Sequence, residues 1–421
     1  MANQGAVASI PAAAPPEQES PLRYVARQPI LDLRGKVHGY ELLFRAGPET
    51  VFRGDGDAAT RTMLDNTVIF GFELLTGGLP AFVNCTYEAL TKQLVDVLPA
   101  GMTVLEVLEN LEPTPELVDA CKKLKASGFR LALDDFTFRP EFVPLLELTD
   151  YVKIDYTLTN REERKVLLNQ LKRYTVALVA EKIETQEEYQ QACSEGFTLF
   201  QGYFFCRPVL LQNRKVPANR LFHLEIIHLL QSPTLNFRQL SNLVKRDAAL
   251  TYRLLRLVNS PMCAMRQEVK SIEMALTVVG EDAFRRIATL AIASELNAGQ
   301  PAEILRMAFV RARFCEMAAS LCSLIATEQY LLGLFSLLPA MLRIRMEELA
   351  PMLPLREEIS SALLGKDSPE RSLLHWVESY ERGEWAKCDE ISAANKLNQG
   401  WVAECYIEAV AWAEEALKSA E

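Results

Sequence analysis

The stretch PELVDACKKLKASGFRLALDD, Pro115 to Asp135, holds one complete helix–turn–strand unit. A helix-like segment, Pro115–Ala126, is followed by Gly128, where a helix end in the left-handed conformation is expected. Next comes a short apolar run, Leu131–Leu133, that stops on two carboxylates, Asp134 and Asp135. Working outward, the same phrase repeats from Leu22 to about Leu210. Its apolar runs are Tyr24–Ala26, Val37–Leu43, Ala81–Val83, Val104–Leu105, Leu131–Leu133, Tyr151–Ile154, Val176–Ala180 and Leu199–Phe200. Another helix-like stretch, Thr185–Ala192, is closed by Gly196. Strands alternating with helices imply βαβ units and a largely parallel sheet. About eight runs make a closed barrel more natural than an open sheet. Asp32-Leu33-Arg34-Gly35-Lys36, just before the second run, is a turn of hairpin length, so an antiparallel pair should open the barrel.

Beyond Arg207-Pro208 the pattern changes. Lys215 to Asn219, with Pro217, reads as a connector, and helical spacing then takes over. Leu250, Leu254, Leu257 and Val258 follow Asp247, a good N-cap, and the run stops at Asn259-Ser260-Pro261. Ile272, Ala275, Leu276 and Val279 repeat the helical period up to Gly280, and Phe284, Ile287, Ala288 and Ala291 repeat it again. The expected architecture is α/β followed by all-α: a tail at 1–20, a (β/α) barrel at 21–212 and a helical domain at 213–421.

Composition narrows the function. The 421 residues include 45 Lys+Arg and 55 Asp+Glu, a net charge of −10, which argues against broad nucleic-acid binding. A helix–turn–helix reading of Arg238 to Asn259, with Arg246, Arg253 and Arg256 as phosphate contacts, competes with a solvated helix face, which the acidic total favours. The 9 cysteines form no Cys-x-x-Cys pair and read as buried thiols of a reducing cytosol. Tyr330 to Met341, the longest apolar stretch, is too short to cross a bilayer. The segment Ala2 to Ser20 lacks the charged and apolar regions of a signal peptide and has a disordered composition. A cytoplasmic protein with no membrane span is expected.

Polar residues sit at the ends of the apolar runs, Glu41, Asn84, Glu106, Asp134, Asp135, Glu181 and Gln201, and Lys153 sits within Tyr151 to Asp155. In a (β/α) barrel the strand C-termini converge on one face. Carboxylates gathered there are costly unless paired or metal-bound. Oxygen ligands without cysteine or histidine select Mg²⁺ or Mn²⁺. Two such ions about 4 Å apart would polarise a phosphoryl group and activate a water. Asp135 could bridge them, and Lys153 could orient the water or stabilise phosphate charge. Taken singly, any of these acids is more often a helix-cap neighbour or a salt-bridge partner; the joint pattern is what points to a site.

Arg27-Gln28-Pro29-Ile30 and Tyr40-Glu41-Leu42-Leu43-Phe44-Arg45 resemble the opening of EAL domains, which hydrolyse cyclic di-GMP; the signature here reads Glu-Leu-Leu. Asp134-Asp135-Phe136, Val152-Lys153-Ile154-Asp155, Ala180-Glu181-Lys182-Ile183-Glu184-Thr185 and Gln201-Gly202-Tyr203-Phe204 follow in the family's order. The resemblance implies a modified (β/α)₈ barrel with one antiparallel strand. It implies metal binding by Glu41, Asn84, Glu106, Asp134, Asp135 and Glu181, with two Mg²⁺ or Mn²⁺ ions in an active enzyme. It makes Lys153 the partner of the catalytic water, alongside Asp135 and Glu41, and puts Gln201 near the metal-bound water. Arg45 would hold a substrate phosphate, and Glu184 would brace the loop after the Asp pair. That loop departs from the family: Phe136-Thr137-Phe138-Arg139-Pro140-Glu141 lacks the glycines that allow left-handed turns.

Phe237 to Ser241, Arg246 to Leu250 and Leu257 to Ser260 resemble the start of HDOD domains, non-catalytic relatives of HD phosphohydrolases. The chain has no His-Asp dipeptide, and its 4 histidines, at 38, 223, 228 and 375, do not cluster. The expectation is a cyclic di-GMP phosphodiesterase coupled to an HDOD domain that meets a protein partner, with a homodimer left open. The alternatives are a catalytically inactive cyclic di-GMP receptor and an interaction scaffold.

Overall fold

The computed structural model describes residues 24–45, 72–207, 218–230, 236–259, 269–353 and 355–418. The expected tail at 1–20, most of the connector and Cys263 lie outside the described residues. Strands β1 (Tyr24–Asp32), β2 (Val37–Arg45), β3 (Ala81–Cys85), β4 (Thr103–Val107), β5 (Arg130–Leu133), β6 (Tyr151–Asp155), β7 (Ala177–Glu181) and β8 (Leu199–Gln201) close in that order into a barrel. β1 runs antiparallel to both its neighbours, β2 and β8; the pairs from β2 through to β8 are parallel. The opening hairpin is set by Asp32, whose carboxylate accepts the backbone N–H of Arg34 (2.8 Å) and Lys36 (2.9 Å), while Gly35 takes φ 72°.

Side chains alternate along a strand, so residues two apart stack in successive layers of the barrel interior. The lower layer is apolar: Ile30, Phe82, Val104, Ala132, Tyr151, Val179 and Leu199. Two residues further along β3 to β8 stand Asn84, Glu106, Asp134, Lys153, Glu181 and Gln201. A dry plug therefore supports a polar layer at the strand C-termini. Gly39, two residues before Glu41, completes the plug. A Cβ there would lie 2.6 Å from the Pro80 carbonyl and 3.0 Å from the Phe82 ring. Helices are started by their own side chains. Asn160 with Glu163 and Thr185 with Glu188 form reciprocal capping boxes ahead of Arg161–Leu171 and Gln186–Glu195. Gly128 and Gly196 take φ 97° and 101°, as expected of helix ends.

The second half is helical, built around the buried helix Ala302–Ala318. Its neighbour Ala326–Phe335 approaches so closely that a Cβ on Gly333 would meet the Arg311 carbonyl at 2.4 Å. Asp247 caps Ala248–Val258 through the Leu250 N–H, as expected. No helix among the described residues is long and apolar enough to cross a membrane.

The helical half docks on the β1–β2 hairpin. Arg27 pairs with Glu414 (2.9 Å), with both side chains under a tenth exposed. The Tyr40 hydroxyl donates to Glu303 (2.9 Å), and the Val25 N–H donates to the Tyr380 oxygen (3.0 Å). These buried polar bonds fix the register between the halves more than they stabilise it, because desolvation offsets much of their attraction.

Candidate functional site

Lys153 stands in mid-strand on β6, 0% exposed, at the centre of the polar layer. Its ammonium lies 2.7 Å from Glu106, 2.8 Å from Glu181, 2.9 Å from Asp134 and 3.2 Å from Glu41. Glu41 also accepts from Asn84 Nδ2 (3.0 Å) and Gln201 Nε2 (2.7 Å), and Gln201 reaches Gln28 (2.9 Å). The structure thus brings Glu41, Asn84, Glu106, Asp134, Lys153, Glu181 and Gln201 into one cluster. Strand register is what brings them together: six parallel pairs hold the C-terminal ends of β2 to β8 level.

The cluster is short of positive charge. Burial would push the Lys153 ammonium down, but the surrounding Glu106, Glu181, Glu41 and Asp134 outweigh it and hold the pKa well above the ordinary value. Burial raises Glu106 well above the carboxylate range and lifts Glu181 to about 8; Lys153 only partly opposes it. Asp134 rises for the same reason. Glu41 alone falls: its burial is outweighed by Lys153 and by the bonds from Gln201 and Asn84. One ammonium cannot neutralise four acids.

Four further atoms show what the layer lacks. Asn84 Oδ1, Glu106 Oε2, Asp135 Oδ1 and Gln201 Oε1 are buried without a hydrogen-bond donor. All are oxygen acceptors, and buried acceptors need a donor or a cation. This donor set suits a hard divalent ion. Lys153 holds the centre, and among the described residues no three His, Cys, Asp or Glu side chains stand in an arrangement that would hold a metal ion around it.

Asp135 stands one step above the cluster with φ 41°, an uncommon conformation for a residue other than glycine. Lys182, φ 55°, lies 3.8 Å from it and also pairs with Asp155. Asp155 in turn holds the Thr157 and Leu158 N–H groups. Gly202 follows Gln201 because the chain passes over Ile183 there; a Cβ would fall 2.1 Å from the Ile183 carbonyl.

Above the cluster opens a cavity of about 660 Å³, lined by Glu41, Asp134, Asp135, Glu181 and Gln201 among others. Two expected residues stand outside the cluster. Glu184 is at the rim and pairs with Arg207 (2.8 Å), in the segment after β8. Arg45, at the end of β2, is engaged by Asp389 of the helical half (2.8 and 2.7 Å). In the loop itself, Arg139 lies over the Phe142 ring (4.5 Å), which meets Phe136 edge-on. Sequence reading missed the cavity's far wall entirely: Arg382, Gly383, Glu384 and Trp385 belong to the helical half.

The EAL domain model matches residues 85–208, and the HDOD domain model matches residues 217–358. YuxH of Bacillus subtilis is 34% identical over 400 residues, covering 92% of this chain and 97% of that protein. The cyclic di-GMP phosphodiesterase CdgJ of Vibrio cholerae is 31% identical over 418 residues, 95% of this chain and 96% of that one. Among solved structures, the Klebsiella pneumoniae BlrP1 calcium/cy-diGMP complex is 23% identical with a TM-score of 0.38, covering 47% of this chain and 58% of that one. With an eight-strand barrel ahead of a helical half and relatives matched over nearly their whole length, the chain belongs to the family of two-domain proteins in which an EAL domain precedes an HDOD domain.

Proposed function

We propose that the barrel binds cyclic di-GMP and hydrolyses one of its phosphodiester bonds to linear pGpG with the help of two Mg²⁺ or Mn²⁺ ions. The observation that carries this reading is the surplus of buried carboxylates at one barrel mouth, with acceptor atoms on Asn84, Glu106 and Asp135 that have no donor. Glu41, Asn84, Glu106, Asp134, Asp135 and Glu181 would hold the ions, which supply Lewis acidity at the phosphoryl oxygens and lower the pKa of a bound water. The remaining work falls to the chain. Lys153, kept protonated by its acidic neighbours, donates toward charge developing on the phosphate and orients the attacking water. Gln201 fixes Glu41 from one side and Asn84 from the other, so that this carboxylate stays ionised. The apolar plug beneath keeps bulk water from entering from below. The relative CdgJ, named a cyclic di-GMP phosphodiesterase and similar over 96% of its length, supports the same substrate.

Purified full-length chain with Mn²⁺ should convert cyclic di-GMP to pGpG, and Glu41→Gln should slow this by about 10²- to 10⁴-fold. Tight binding with no linear product would sink hydrolysis and leave the receptor reading, which the glycine-free segment Thr137–Glu141 favours. The HDOD half would serve a protein partner and contributes no catalytic group of its own to this scheme.

A further inference from the structure

On β2 the alternate residues Glu41, Leu43 and Arg45 share one face; Glu41 and Leu43 line the cavity, and Arg45 stands one pleat beyond Leu43. A segment of the helical half, Arg382 to Asp389, lies over that face. Gly383 approaches so closely that a Cβ would sit 2.9 Å from Leu43 Cδ1, and its φ is 69°. Arg382, Glu384 and Trp385 line the cavity, and Glu384 Oε2 lies 3.5 Å from the Lys387 ammonium. Asp389 grips the Arg45 guanidinium fork to fork, Nη1 to Oδ1 at 2.8 Å and Nη2 to Oδ2 at 2.7 Å, and the Arg45 side chain is 7% exposed. Gln399 holds Asp389 in place from behind (3.0 Å).

A carboxylate bound in this two-pronged way presents two oxygens where a phosphate would present two of its own. Both anions cannot hold the same guanidinium. The segment's other acid, Glu384, is paired within the segment itself, with Arg382 (3.8 Å) and Lys387 (3.5 Å), so the competition rests on Asp389. The position of the segment is tied to the core of the helical half. The preceding residue, Glu381, is clamped by buried Arg311 (2.7 Å), and Trp385 meets the Tyr380 ring at 5.0 Å.

We propose that Asp389 is an internal competitor for the Arg45 guanidinium, so that the segment Arg382–Asp389 closes the dinucleotide site until the helical half withdraws it. This rests on the cyclic di-GMP reading of the mouth, and its test separates the two. In the full-length chain, Asp389→Asn keeps the side-chain shape and removes the anion. Labelling of Arg45 by phenylglyoxal, followed by peptide mass spectrometry without nucleotide, should accelerate about tenfold over the unaltered chain. The KM for cyclic di-GMP in Mn²⁺ should fall by about the same factor with kcat held within about twofold. Adding Arg45→Ala should erase that gain. Unchanged labelling, or an unchanged or higher KM, overturns the competition while turnover of the dinucleotide still stands. Faster labelling with no affinity for cyclic di-GMP in either chain overturns the dinucleotide reading, and the competition with it, while leaving the Arg45–Asp389 contact established.

Discussion

Two buried ionic clusters, one in each half, contrast in their charge balance. In the helical half Arg311 pairs with Glu381 (2.7 Å) and Glu378 (3.5 Å), and Glu378 pairs in turn with Arg371 (2.9 Å). Two guanidiniums face two carboxylates, and the Ser336 hydroxyl accepts another Arg311 N–H (3.3 Å). That cluster is complete within the chain. At the barrel mouth a single ammonium faces Glu41, Glu106, Asp134 and Glu181, and acceptor atoms are left over. The contrast teaches that burial of charge is not itself the mark of a site. What marks a site is burial that the protein's own groups leave uncompensated.

The largest expected effect lies in the balanced cluster. Arg311→Met strands Glu381 and Glu378 and should cost about 3–5 kcal/mol in urea unfolding, with no recovery on adding Mn²⁺. Recovery by Mn²⁺ would mean that the helical half, too, is a cation site. At the mouth, Mn²⁺ at about 100 times its Kd should raise the stability of the unaltered chain by about 2.7 kcal/mol per bound ion, read as a rise in Tm that EDTA reverses. A Tm indifferent to both would erase the distinction between the clusters. Glu106→Gln removes an acid whose ionisation burial opposes, so the metal-free chain should gain about 1 kcal/mol at pH 8 while its response to Mn²⁺ weakens. The equivalent change in the other cluster, Glu381→Gln, should destabilise. Matching signs for the two would break the comparison. The smallest effect belongs to the exposed pair Glu184–Arg207: Glu184→Ala should shift stability by less than about 0.5 kcal/mol.

Much of the barrel was readable because strand periodicity is local. An apolar residue followed two positions later by a polar one, as in Val104 and Glu106 or Val179 and Glu181, already encodes plug and mouth. Asp32 to Lys36 encoded the hairpin in the same short-range way. The acidic residues could be gathered by assuming barrel closure. The role of Lys153 as hub could not, since its four partners come from β2, β4, β7 and the residue after β5, and only register places them around it. Docking of the halves was illegible for a stronger reason. Arg45 and Asp389 are 344 positions apart, and a charged rim residue looks the same in sequence whether it faces water or another domain. Glu184 shows the converse: a motif position located its backbone, but the nearness of Arg207 decided its partner.

The most direct test of the central claim is to count Mn²⁺ bound per folded chain by equilibrium dialysis at neutral pH, with Glu106→Gln and Asp134→Asn as companions. The uncompensated mouth predicts two ions on the unaltered chain, with binding weakened in both variants. A folded chain that takes up no Mn²⁺, or equal uptake in all three proteins, would contradict it.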